Sequence, residues 1–132
     1  MAVSATLTFK GAGGGSQASL KVLDFDFGFT QQVDSTGKPT GRPLITNINL
    51  NVETTEDTQI IDWMTSFGAT KDGTIEVNLK NNVRKTIKFE KAYCVYYHES
   101  YNAHGEDQAM HISFTISPEN VEIDDNIFIS NI

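Results

Sequence analysis

The chain has 132 residues, 39% hydrophobic and 20% charged, with a formal net charge of −7. This is enough for one domain with its own core, residues 1–132, and the composition fits neither disorder nor a helical membrane span, which needs roughly 18 consecutive apolar residues. The acidic balance disfavours phosphate backbones and anionic lipid, so neither nucleic acid nor a membrane surface is an expected partner.

The first residues lack a basic segment followed by an apolar core and do not resemble a secretory signal peptide. Ala5, Leu7 and Phe9 alternate as in a first strand, and the AGGGS that follows is a flexible connection. The run GAGGGS at 11–16 has no Lys-Ser or Lys-Thr pair after it, so it is no phosphate loop. From Leu20 the alternation places Leu23, Phe25, Phe27 and Phe29 on one face of a second strand. Residues 31–43, QQVDSTGKPTGRP, have a Gly/Pro composition that resists both helix and ladder and predicts a long surface loop. Structureless loops of this length are uncommon unless they make functional contacts.

Leu44, Ile48, Leu50 and Val52 then share a face opposite Asn47, Asn49 and Asn51, which predicts a one-sided strand. The period next changes to three and four residues through Ile60, Ile61, Met64 and Phe67, predicting one helix at about 56–67 with Trp63 at the edge of its buried stripe. Thr55 caps it, Glu56 and Asp57 suit its start, and Gly68 suits its end. A hairpin through Asn81-Asn82 follows, setting Ile75, Val77 and Leu79 against Val83, Ile87 and Phe89.

Two long strands around an Asn/Gly turn occupy 89–116, with Tyr93, Val95 and Tyr97 on one face of the first and Met110, Ile112, Phe114 and Ile116 on one face of the second. Cys94 lies in the apolar run AYCVYY; as the sole cysteine it forms no intramolecular disulfide and is expected to be a packed, reduced thiol. The tail adds one or two short strands through Val121, Ile123 and Ile127 or Ile129. Seven to nine strands and one helix indicate a mainly β fold, an antiparallel two-sheet β-barrel with the helix packed on its side.

Chemistry is hard to place on this pattern. His98, His104 and His111 lie on two different strands and a turn, without the close ligand pair of a zinc site, and no Gly-x-Ser-x-Gly elbow supports a triad. Neither a catalytic residue, a metal nor a cofactor is expected, and no enzymatic activity.

Three segments, VLDFDFGFTQQVDSTGKPTGRP, ITNINLNVETTEDTQIIDWM and FEKAYCVYYHESYNAHGEDQAMHISFTISPENVEI, span Val22 to Ile123 in an order that resembles the haemolysin co-regulated protein (Hcp) family of type VI secretion systems, in a divergent branch. The AGGGS segment departs from the tighter first hairpin of that family. The resemblance implies a homohexameric ring that stacks into a hollow tube, carries a spike at its tip and effectors in its lumen, and is driven out by a contractile sheath. Such a subunit assembles in the cytoplasm and is secreted without a signal peptide.

The resemblance also makes the 31–43 loop the expected ring-stacking element, with Asp34, Lys38 and Arg42 as its polar contacts. His98, His111 and Ser113 become candidates for a ring interface or the lumen, while Val95, Tyr97, Ile112 and Phe114 hold the barrel together. Alternatives are a tail-tube protein of a phage-like contractile particle, a monomeric ligand-binding barrel, and an enzyme built on His98, His104 and His111. A ring of six would multiply the acidic charge sixfold and oppose stacking over a screening length of about 8 Å, so rings are expected to persist at moderate salt while long tubes need crowding, templating or linkage.

Overall fold

The computed structural model describes residues 4–11, 18–53, 59–79, 84–101, 110–124 and 126–131. Within them the strands are β1 (Ser4–Gly11), β2 (Ala18–Asp26), β3 (Phe29–Thr30), β4 (Leu44–Ile45), β5 (Ile48–Glu53), β6 (Thr70–Asn78), β7 (Arg84–Tyr101), β8 (Met110–Ser117), β9 (Asn120–Ile123) and β10 (Ile127–Ser130); the helix is α1 (Gln59–Thr65). The order β7-β6-β1-β2-β5-β8 returns to β7, because β8 pairs with both β5 and β7. This closes a six-stranded antiparallel barrel, which removes free edges from the ring of strands. β9 and β10 extend the sheet outward from β7.

β7 makes the closure. Its first half pairs with β6 and β9, its second half with β8, and at Tyr93 it faces Thr70 on one side and Ser117 on the other. The turn between the two walls falls at Lys91, which adopts a positive φ of 51°. A left-handed non-glycine residue is costly, and the Asp72 carboxylate helps hold it by accepting the Lys91 N–H at 2.9 Å. A register shift between Cys94 and Tyr96 follows.

These irregularities reverse part of the expected alternation. Ala92 and Cys94 face the core, whereas Tyr93 and Val95, expected inside, are exposed, Val95 by 48%. Beyond the shift Tyr97 returns to pack against the core. β2 shows the same effect: its bulge between Val22 and Asp24 leaves Leu20 and Val22 buried and turns Leu23 out at 48% exposure, while Phe25 and Phe27 are half-buried and Phe29 is exposed. β5 and β8 lack such shifts and keep the expected faces through Ile48, Leu50, Val52, Ile112, Phe114 and Ile116. Leu79 and Met110, near strand ends, are exposed, and in β10 Ile129 rather than Ile127 packs inward.

The helix differs most from its expected packing. Ile60 and Trp63 are buried, but Ile61, Met64 and Phe67 are exposed. α1 is described over only seven residues and inserts one edge into the barrel, so an i, i+3 pair suffices. Trp63, 2% exposed, stands 5.4 Å from Phe9 and 6.3 Å from Phe114 between ring centroids and donates its indole N–H to Ala92 O at 3.1 Å. Phe67 lies past the helix, just before Gly68, whose φ of 77° fits the expected left-handed residue at a helix end. The Thr55, Glu56 and Asp57 cap, the AGGGS connection, Val83 with the Asn81-Asn82 turn, and His104 lie outside the described residues.

Candidate assembly surfaces

Two surfaces stand out on the barrel. The first is an arm built from the 31–43 segment. Although its composition resists a ladder, it forms an irregular hairpin: β3 pairs with β4, Thr40 N–H bonds Gln32 O at 2.7 Å, and Val33 bridges Pro39. The two prolines do not interrupt these bonds, and the tip organises itself through Asp34. Its Oδ1 accepts from Thr36 N at 2.8 Å, Thr36 Oγ1 at 2.7 Å and Lys38 N at 3.1 Å. Gly37, with a φ of 88°, completes the reversal.

The Thr36 hydroxyl, with the main-chain N–H groups of Lys38 and Thr36, holds the Asp34 carboxyl below the usual carboxylate range. This hydrogen-bonding contribution to turn stability is present above the ordinary Asp pKa and is lost as pH falls through the lowered one. Asp34 therefore shapes the tip. Lys38 and Arg42 are exposed, and no carboxylate among the described residues pairs with either.

The second surface is the outer face of β2, β5, β8 and the second half of β7. Because alternate residues of β5 and β8 fill the core, Asn49, Asn51, Ser113 and Thr115 point outward. They bond sideways in parallel rows. Thr115 Oγ1 donates to Asn49 Oδ1 at 2.8 Å and Asn49 Nδ2 to Asp26 at 3.0 Å; Ser113 Oγ donates to Asn51 Oδ1 and Asn51 Nδ2 to Asp24 at 2.8 Å. His98 lies opposite Ser113, and Ser100 lies opposite His111, with Ser100 Oγ hydrogen-bonded to His111 Nε2 at 2.9 Å. The candidates His98, His111 and Ser113 thus share one wall, in two separate rows.

The described residues of this wall form no complete Ser-His-carboxylate relay. Ser100 and His111 are hydrogen-bonded and Glu53 lies opposite His111, but Glu53 pairs with Lys21 at 3.6 Å rather than with the His111 ring. Among the described residues no polar or charged side chain is buried, and no cluster of three His, Cys, Asp or Glu side chains could hold a metal. Trp63, Phe9 and Phe114 fill the barrel where a ligand-binding barrel needs its pocket. A hollow of about 340 Å³ lies instead over the β1, β6, β7 and β9 strands, lined partly by Thr8, Lys10, Thr74, Lys88 and Glu122.

Cys94 is the packed free thiol expected. Burial pushes its pKa up to about 11, partly opposed by its bond to Tyr96 O at 3.5 Å. The thiolate, which is the reactive form, is therefore scarce at pH 8. Folded protein should react with iodoacetamide at pH 8 much more slowly than urea-unfolded protein, read by intact mass. Since the folded pKa lies above the unfolded value near 9, the thiol's contribution to stability is full below pH 9 and declines towards pH 11. Equal alkylation rates in the two states would contradict this burial.

The architecture is thus a closed, mainly β barrel with an organised arm and a laterally bonded polar wall. Over residues 1–131 the chain matches the family model described as TssD, haemolysin co-regulated protein Hcp. It is similar to Hcp1 from Flavobacterium johnsoniae at 27% identity and a TM-score of 0.77, covering 95% of this chain and 98% of that one. A double mutant of Hcp1 from E. coli EAEC 042 shares the fold at 18% identity and TM-score 0.73, covering 98% of both chains. A chain of the six-fold symmetrised baseplate of the anti-feeding prophage shares it at 7% identity and TM-score 0.62, covering 93% of both. No curated protein matches the sequence significantly. The chain belongs to the Hcp (TssD) family, and is a tube protein of the type VI secretion system. The family is one of structural tube proteins that self-assemble and are secreted by that system, and no helix among the described residues is long and apolar enough to cross a membrane.

Proposed function

We propose that the chain forms homohexameric rings that stack into a hollow tube, bearing a spike at the tip and effectors in the lumen and expelled by a contractile sheath. The observation that carries this reading is the arm: a segment that contributes little to the core is nevertheless built as a hairpin, with Lys38 at its tip and Arg42 nearer its root, and neither cation pairs with a carboxylate among the described residues. On an acidic protein, exposed cations along an arm supply the complementary patch that like-charged rings need in order to stack. A ring uses two different surfaces of each subunit, and stacking requires a top and a bottom as well.

Lys38 and Arg42 make the ring-to-ring contact in this reading, with Asp34 setting the turn that presents Lys38. His98, His111 and Ser113 lie on the polar wall, which faces the lumen or a neighbour. Short Asn, Ser, Thr and Asp side chains already bonded to each other retain few free donors, so the wall accommodates cargo without gripping it. The fold likeness to a baseplate chain six-fold symmetrised in its own particle supports six subunits. It also keeps a second reading, a tube protein of a phage-like contractile particle, which genomic neighbours separate from the first.

Negative-stain imaging with mass measurement tests the reading: six-fold rings are expected, and a strict monomer at high protein concentration overturns it. In the K38E/R42E double variant, rings are expected to keep their mass while tubes formed under crowding shorten. Tubes of unchanged length would remove the arm from the stacking contact.

A further inference from the structure

The arm sheet β3-β4 and the barrel sheet do not share a strand, so something must fix the angle between them. Phe29 and Ile45 lie opposite each other, but Thr46 N–H bonds Gly28 O at 2.7 Å, one pair further along. In an antiparallel ladder the hydrogen-bonded pairs alternate with pairs whose N–H and C=O point away from the partner strand. Ile45 is such a residue, and its main-chain groups face outward from β3.

They meet a side chain. Asn131 Oδ1 accepts the Ile45 N–H at 3.0 Å, and Asn131 Nδ2 donates to Ile45 O at 3.1 Å. Only a carboxamide offers a donor and an acceptor side by side in the geometry of a peptide unit, so Asn131 substitutes for a missing strand. The same Nδ2 reaches Pro118 O at 3.4 Å, while Asn131 N–H bonds Glu119 O at 2.7 Å and Glu119 N–H bonds Glu90 O at 3.2 Å. A chain of bonds therefore runs from β7 of the barrel wall to the root of the arm, 86 residues apart in sequence between Ile45 and Asn131.

We propose that Asn131 is the positioning residue of the arm: it sets the direction in which Lys38 and Arg42 are presented to the next ring. The function of that direction rests on the reading of the arm as the ring-to-ring contact. The latch itself does not, because it is seen at Ile45. The Ile45 side chain is buried, so one residue is held by the core through its side chain and by Asn131 through its main chain.

The test uses the full chain carrying Asn131→Leu, which removes both bonds to Ile45 and leaves the main-chain bond to Glu119. Asn131→Ser, too short to span both groups, serves if the leucine variant folds poorly. Hydrogen exchange at the Ile45 amide should rise about tenfold while Ile75, in β6, is unchanged, and ring mass should stay constant. Tubes formed under crowding should shorten.

Unchanged exchange at Ile45 overturns the latch. Faster exchange with wild-type tube length overturns its control of stacking. If wild-type rings never stack, the ring-to-ring reading of the arm fails, and exchange at Ile45 alone decides whether Asn131 positions it.

Discussion

Trp63→Ala is expected to lower the unfolding free energy by about 3–5 kcal/mol, the range for truncating a large buried aromatic. The indole joins α1 to β1 and β8 through Phe9 and Phe114, so its loss opens a void where three elements meet. It also leaves Ala92 O without the indole N–H, next to the bend at Lys91. Trp63→Phe separates these effects, because it keeps a ring in the space and loses the donor; leaving a buried carbonyl unsatisfied costs about 1–3 kcal/mol. Trp63 is the sole tryptophan, so urea unfolding is best followed by far-UV circular dichroism. A shift in midpoint at constant slope is the expected form, and an alanine variant within about 1 kcal/mol of wild type would contradict this account of the core.

Gly73→Val should be comparably severe for the opposite reason. A Cβ added at Gly73 would lie 2.5 Å from Thr8 O, 2.6 Å from Phe89 Cζ and 2.9 Å from Phe9 Cβ. Thr8 O is main chain on the neighbouring β1, so relief requires two strands to separate. Overpacking of this kind costs typically 1–3 kcal/mol and occasionally more, and a branched side chain belongs at about 3 kcal/mol or above. Gly37→Ala makes the contrast. Nothing lies within 4 Å of its added Cβ, and only the φ of 88° is unfavourable. That penalty is about 1–2 kcal/mol and local to the arm. Equal midpoints for the two variants in denaturant would refute the distinction between space and backbone.

The difference between these glycines marks what was legible in the chain beforehand. Gly37 lies in a turn-rich run and reads as a turn residue. Gly73 precedes a regular alternation, and its need for an absent side chain arises from Phe9 and Phe89, which the closed barrel brings together. The same division holds for the strands. The faces of β5 and β8 follow from alternation because their register is unbroken, whereas Leu23, Tyr93 and Val95 face outward against the alternation, because an irregularity in the ladder inverts parity without altering local composition.

Trp63 illustrates a second limit. Periodicity puts it at the margin of a stripe of Ile60, Ile61, Met64 and Phe67, but the helix buries Ile60 and Trp63, and the indole packs against Phe9 and Phe114. For the assembly surfaces, composition located the arm without its ladder, since Asp34 builds the turn through bonds that span only four residues. Asn131 gave no local signal: its partner is Ile45, and that pairing exists only once the sheet has closed. His98 and His111 were visible as candidates, but their separation into two rows required the β7–β8 register.

The eighteen-residue β7 has a mechanical meaning as well as a topological one. On the proposed reading, in which a sheath drives the tube, force on the subunit must pass between the side braced by β6 and β9 and the polar wall. Here it passes along one continuous strand braced by β6 and β9 at one end and by β8 at the other. The two walls cannot slide past each other unless ladders on both halves of that strand break together. Under load these two walls are therefore expected to yield together.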